Sequence, residues 1–293
     1  MAIESYIKRV ERFRERGDTF GPRTIRLFQK LVMSFYREHG RHDFAWRTTS
    51  NPYRILVSEI MLQQTQTSRV AEKYPKFLKQ FPTVRALARA QQAEVIRAWE
   101  GLGYYRRARN LHRAAIAIHN LHSGRVPRDL VRLRALPGIG SYTAAAVAAF
   151  AFGQAEPMLE TNIRSVYLYC FFPGRAEVAD SEVLALVAGT LLHENPREWF
   201  YALMDLGVVL KREQKGINRV SSHYKQQSRF KGSDREVAAK VLKTILKQSG
   251  PVSQDQLYNL GNEQVRDKIE RAIERLVREF LIVRTRDGRV RAA

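Results

Sequence analysis

From residue 24 to residue 210, apolar side chains recur at intervals of three and four, and almost nowhere before the last dozen residues do they alternate as in a strand. That periodicity confines most of the chain to helices packed on helices, an all-α architecture. Residues 24–38 show it well, with Ile25, Phe28, Val32, Phe35 and Tyr36 on one side. Asn51-Pro52 starts the next helix, which carries residues 55–67. Further helices are expected over 68–81, 83–90, 92–99, 105–122, 128–135, 142–152, 163–172, 180–192 and 199–210. Gly or Pro marks most of the joints, so the loops between them are brief.

The pattern changes after Leu210. Lys211, Arg212, Lys215, Arg219, Lys225, Arg229 and Lys231 crowd a stretch poor in apolar residues, which leads to a boundary near Gly232-Ser233. Residues 1–231 then form one domain, with 1–23 as a basic N-terminal extension and 211–231 as a basic segment, and 232–293 form a second, smaller one. Helices are expected at 234–248, 253–260 and 263–280, the second started by Ser253 and Asp255. Residues 281–291 alternate around Asp287-Gly288, a hairpin signal. Three helices and a hairpin suggest a small winged-helix-like α/β module.

Charge narrows the partners. Fifty Lys and Arg against 29 Asp and Glu leave a formal net charge of +21, which attracts polyanions whatever their sequence. An apolar content of 44% supplies a core, so this is a folded protein and not a basic tail. The basic residues run along the whole chain without an amphipathic anchor, and no window of membrane-spanning length is free of charge, so no membrane partner is expected. Residues 1–21 carry Glu4, Lys8, Arg9, Glu11, Arg12 and Arg14 where a signal peptide would need an apolar core. A cytoplasmic, nucleoid-associated protein is the expectation. Cys170 is the only cysteine, which excludes an intrachain disulfide, a multi-cysteine zinc site and a cysteine-ligated iron–sulfur cluster.

Leu136-Pro137-Gly138-Ile139-Gly140-Ser141 is the most telling short motif. One helix runs into a Pro-Gly-x-Gly turn and an Ala-rich helix starts at once. Both glycines are expected to allow positive φ and close approach, and the second helix presents unpaired N–H groups. Pro137, Gly138, Ile139, Gly140 and Ser141 thus form a seat for a backbone phosphate of nucleic acid. A monovalent cation at the hairpin is the one cofactor left open.

Two acids stand out. Glu59 lies in Ile55-Leu56-Val57-Ser58-Glu59-Ile60-Met61-Leu62, an apolar helical setting that desolvates a carboxyl, raises its pKa and suits a general acid. A buried glutamate paired with an arginine would have the same sequence. Glu160 precedes a helix that Thr161 or Asn162 can cap, a place that favours the ionised form. Helix-start chemistry alone would also put it there. As a pair, they could divide acid and electrostatic roles in cleaving an N-glycosidic bond. Gln63 and Gln64 follow Glu59 closely enough to fill the gap left by an extruded base. Leu102, Tyr104 and Arg106, in Trp99-Glu100-Gly101-Leu102-Gly103-Tyr104-Tyr105-Arg106-Arg107, combine wedge and cation as minor-groove insertion requires. A core aromatic beside a solvated charge run would look similar.

In this order these segments, with Trp46-Arg47, Asn51-Pro52-Tyr53 and Ala202-Leu203-Met204-Asp205-Leu206-Gly207, resemble the helix-hairpin-helix DNA glycosylases that carry a Gly/Pro-rich loop and an acidic residue. The likeness spans roughly residues 44–210 and is closest to the adenine-mismatch, or MutY-like, branch. It implies two helical lobes acting on double-stranded DNA that contains a damaged or mismatched base. Glu59 matches the glutamate that protonates the adenine ring and then positions water. Tyr142 matches a tyrosine near the scissile sugar, where bifunctional relatives place a nucleophilic lysine, so monofunctional hydrolysis is implied. Gln64 and Tyr104 match intercalating residues. Arg47, Thr67 and Asp205 match positions lining the base pocket, and Asn162 an asparagine of the second catalytic motif. Lys211 and Arg212 would keep phosphate contacts.

Three departures accompany the likeness. Glu160 stands where the family has Asp, and a misplacement of about an ångström can cost roughly a hundredfold in rate. Leu210, Ile217 and Val220 fall where three cluster cysteines are expected, so no iron–sulfur cofactor is expected. The usual C-terminal domain that recognises oxidised guanine gives way to the winged-helix-like module. The expected function is monofunctional removal of adenine opposite guanine or oxidised guanine, by a monomer. The alternatives are a glycosylase for mismatched thymine or uracil or for a deaminated purine, and a non-catalytic mismatch sensor.

Overall fold

A computed structural model describes residues 2–16, 20–222, 230, 232–248, 250–260 and 265–293. The first two residues of the helix expected over 263–280 and the basic residues Lys225, Arg229 and Lys231 fall outside them. The described chain is mostly helical and forms two compact units, each assembled from separate stretches. One takes Met1–Leu56, Arg128–Ala135 and Ile139–Gln226, the other Val57–Pro127, Leu136–Gly138 and Gln227–Ala293.

In the first unit, α1 (Ile3–Glu15), α2 (Pro22–His39), α8 (Leu130–Arg134), α9 (Ser141–Phe152), α10 (Thr161–Phe171), α11 (Asp180–Gly189) and α12 (Pro196–Glu213) surround an aromatic core. Phe28 meets the rings of Tyr167, Phe171 and Trp199 at centroid separations of 5.4, 4.9 and 5.8 Å. Helix α9 is buried nearly all round, as its run Thr143–Phe150 requires. Helix α1 corrects the reading of 1–23 as a bare basic extension. Tyr6 and Val10 are fully buried, and the ring of Phe13 lies edge-on to Phe171 and tilted against Phe28. The charges of Lys8, Arg9, Glu11 and Arg12 between its members hid this i, i+4, i+7 stripe. Within the basic stretch that follows α12, Ile217–Val220 makes a 3-10 turn, and Asn218 donates to Ser165 Oγ at 2.8 Å.

Helix α3 (Pro52–Leu62) begins in the first unit and ends in the second. The second unit continues with α4 (Thr67–Gln80), α5 (Val84–Arg89), α6 (Gln92–Ala98) and α7 (Arg106–Leu121). It also takes in α13 (Asp234–Lys247), α14 (Gln254–Tyr258), α15 (Arg266–Arg278), β1 (Ile282–Arg284) and β2 (Val290–Ala292). The strands pair antiparallel, and Val252 exchanges both backbone hydrogen bonds with Val290 at 2.7 and 2.9 Å. A helix, a bridging residue, two helices and a two-stranded wing give the winged-helix order expected. Its core is shared: Ile96 of α6 is buried among Val241, Leu242, Ile273 and Leu276.

Candidate active site

Glu59 is 4% exposed on the last turns of α3, where Ile55, Leu56, Ile60 and Met61 are each 2% exposed or less. The apolar setting read from the sequence is therefore present. Beyond α3 the chain turns through Gln63 and Gln64, and Gln64 adopts φ +53°. Tyr104, in the loop before α7, adopts φ +47° and is 37% exposed. Left-handed backbone is uncommon outside glycine and persists where surroundings over-determine it. Here one guanidinium does so. Arg107 donates to the carbonyls of Ile60 and Met61 at 2.9 and 2.8 Å, and to that of Gln63. It also reaches Thr65 Oγ1 at 2.8 Å and the carbonyls of Leu102 and Gly103 at 2.9 and 3.1 Å. Burial drives the Arg107 pKa down to about 10.

From the sequence alone Arg107 carries no role of its own. Its signal was its place at i−4 and i−7 from Leu111 and Ala114, on the buried face of α7. A charge on an apolar stripe needs partners, and the carbonyls at the end of α3 supply them. Leu102 also needs correcting as a DNA contact. It is 2% exposed, and its carbonyl accepts from Thr65 Oγ1 at 3.2 Å as well as from Arg107, so it anchors the loop that presents Tyr104. Arg106 is exposed at the first turn of α7, and Thr67 is half-buried at the start of α4.

At the hairpin turn only one glycine takes positive φ. Gly138 has φ +77°, and a Cβ there would meet Asn110 Cβ at 2.6 Å. Gly140 is extended, with φ −85° and ψ 178°, and a Cβ there would touch nothing within 4 Å. The expectation of two left-handed glycines is thus half wrong: the first is needed by the fold, whereas the second leaves open space at the start of α9. Ile139 is buried, 5% exposed, whereas Gly140 and Ser141 on either side of the start of α9 are exposed and Pro137 is half-buried. Tyr142 follows, half-buried on the first turn of α9.

Glu160 is the N-cap of α10. Its Oε1 accepts the N–H groups of Asn162 and Ile163, both at 2.8 Å, and its Oε2 accepts Asn162 Nδ2 at 3.1 Å. Lys211 Nζ donates to Asn162 Oδ1 at 3.1 Å, so the carboxylate, the amide and the ammonium form a chain. Although the residue keeps some exposure, desolvation of its carboxyl pushes the pKa up. The two N–H groups and the charges of Lys211 and Arg164 pull it down without cancelling that rise. The sequence expectation of a simply favoured ionised form saw only the cap. Gly207 of α12 makes this packing feasible, because a Cβ there would lie 2.1 Å from the Asn162 carbonyl oxygen. Arg212 pairs with Glu213 at 2.9 Å on the exposed side of α12.

Arg47 and Asp205 meet, but as partners of each other. Asp205, 2% exposed, accepts Arg47 at 2.7 and 2.9 Å and Arg41 through its backbone N–H and side chain at 2.5 to 2.8 Å. Burial opposes the charge on Asp205, yet the guanidiniums outweigh it and hold its carboxyl below the usual range. Arg47 also lies 4.3 Å above the ring of Tyr201. This is a buried ion cluster bracing α12, and Thr67 belongs to the other unit. Glu59 and Glu160 likewise belong to different units. Cys170 is buried in α10 with its thiol pushed up to about 12 by burial, and Leu210 is fully buried in α12, so these residues do not fit an iron–sulfur cluster.

Residues 57–189 match the model of the HhH-GPD superfamily of base excision DNA repair proteins. An adenine DNA glycosylase of Mycolicibacterium smegmatis is 37% identical over 278 residues, which cover 88% of this chain and 93% of that one. The chain belongs to the HhH-GPD superfamily. An adenine DNA glycosylase of Mycobacterium tuberculosis (strain H37Rv) is 34% identical, covering 92% of this chain and 94% of its own. Matches of that extent reach past residue 231. The structure of a thermostable thymine-DNA glycosylase aligns with a TM-score of 0.57 at 27% identity, over 68% of this chain and 96% of that one.

Proposed function

We propose that this HhH-GPD protein is a monofunctional DNA glycosylase of base excision repair that removes adenine mispaired with guanine or oxidised guanine. The observation that carries the reading is Glu59, a carboxyl 4% exposed on an apolar helix that leads directly into the Gln63-Gln64 turn. In the proposed reaction the Glu59 carboxyl gives its proton to a ring nitrogen of the flipped adenine. The C1′–N9 bond then breaks with its electron pair leaving on the base, and positive charge develops on the sugar. Water adds to C1′ and returns a proton to the Glu59 carboxylate, so atoms and charge balance. Glu160, held by its three donors, is assigned to the cationic sugar, and Asn162 and Lys211 to its orientation. Tyr142 takes the place of a nucleophilic lysine, so no Schiff base forms.

The hairpin and the start of α9 would hold a backbone phosphate, since Gly140 lets another molecule approach the backbone N–H groups. A monovalent cation could share that turn. No iron–sulfur cofactor is assigned, the partner is duplex DNA with a mismatched base, and the active form is a monomer. Among the described residues no helix is long and apolar enough to cross a membrane. Removal of mismatched thymine or uracil is the second reading, favoured by the likeness to the thymine-DNA glycosylase.

Single-turnover base release from duplexes with adenine, thymine or uracil opposite guanine, and adenine opposite oxidised guanine, separates these. Fastest release of adenine is expected, with Glu59→Gln slowing it about 10²- to 10⁴-fold while binding persists. Tight binding without release from any duplex would instead leave a mismatch sensor.

A further inference from the structure

Helix α13 lies along the segment that ends in Tyr104. Three contacts run in antiparallel order: Arg97 Nε donates to the Leu246 carbonyl at 3.0 Å, Glu100 pairs with Lys243 at 2.8 Å, and Arg235 donates to the Tyr104 hydroxyl at 3.0 Å. Positions 235, 243 and 246 are related as i, i+8 and i+11, so they share one face of α13. The helix is pinned there by Ile96, which the module buries in its own core. From α6, Gln92 Nε2 donates to the Phe280 carbonyl at 2.7 Å, and from α7 Arg109 donates to the Glu279 carbonyl. The loop bearing Tyr104 is thus braced twice. Arg107 holds its carbonyls and stands 5.6 Å from the tyrosine ring centroid, and α13 supports it from the C-terminal module.

We infer that Arg235 is a positioning residue for base recognition, and that through it the C-terminal module takes part in telling mismatched from paired DNA. This rests on the reading of the chain as a DNA glycosylase whose Tyr104 enters the duplex. An exposed tyrosine loses rotamer freedom on insertion, and a donor that already fixes its hydroxyl lowers that cost. The guanidinium does so from a helix rather than from a loop, which keeps the ring at a set angle. Arg235 therefore acts through Tyr104.

The test uses the full chain, because removing the module would expose Ile96 and strand Arg109. Arg235→Ala, Tyr104→Phe and the double variant are compared in binding to a mismatched and a fully paired duplex, each with a 2′-fluoro sugar that resists cleavage. Each single change should lower the mismatch preference about fivefold. The double variant should lose no more than either single one, and Arg235→Lys should recover part of the preference. Additive losses, or equal weakening on both duplexes as for a plain phosphate contact, would overturn the inference. Because binding is read without cleavage, failure of wild-type protein to release any base would sink the glycosylase reading and still leave the coupling measurable.

Discussion

Asp205 and Glu160 are both carboxyls pressed by protein, and their surroundings send them in opposite directions. Arg47 and Arg41 hold Asp205 below the usual range, whereas burial lifts Glu160 above it despite its cap. The signs of their contributions to stability follow. A lowered folded pKa gives stability that is present above the unfolded value of about 4 and is lost as pH falls through the folded value. A raised one gives stability that is complete below the unfolded value and declines as pH rises through the folded value. Asp205→Asn should cost about 3–5 kcal/mol at neutral pH, because it leaves Arg47 buried with its charge unmatched. Urea titration between acid and neutral pH checks this, and the variant's deficit should shrink toward acid. A deficit that stays constant down to acid pH would assign the loss to packing.

At the scale of elements, the hairpin turn separates a folding requirement from a binding one. Gly138→Ala should destabilise by about 1–3 kcal/mol, since φ +77° is costly for alanine and Asn110 occupies the space. Gly140→Ala meets neither obstacle and should leave the melting temperature unchanged while weakening affinity for duplex DNA. Thermal melts and binding isotherms of the two variants check the pair, and unchanged affinity in Gly140→Ala would remove the phosphate seat. The elements themselves were mostly readable. Helices with a Gly or Pro at the joint, such as α2 with its apolar stripe and α9 with its apolar run, stand close to where the sequence put them. Helix α1 was missed because its stripe of Tyr6, Val10 and Phe13 is interleaved with charge, and its partners, Phe28, Phe35 and Phe171 among them, lie elsewhere in the sequence. Arg107 escaped for the related reason that a buried cation is recognised by the carbonyls around it.

For the molecule as a whole, the net charge of +21 should dominate affinity for DNA. Log affinity is expected to fall linearly with log salt, by about 10³–10⁵ between 50 and 200 mM if six to ten phosphates are neutralised. A flat salt dependence in a filter-binding or anisotropy titration would contradict a phosphate-led interface. Composition, periodicity and local motifs were enough to settle the helical class, the winged C-terminal module and Glu59 as a carboxyl on an apolar helix, because those depend on neighbours within a few residues. Folding alone made Asp205 the centre of an arginine cluster, tied two loops to Arg107 and laid α13 along the segment ending in Tyr104. Each of those draws in residues dozens of positions apart, such as Arg107 and Ile60, and no local pattern records which distant carbonyl or hydroxyl a charge will find.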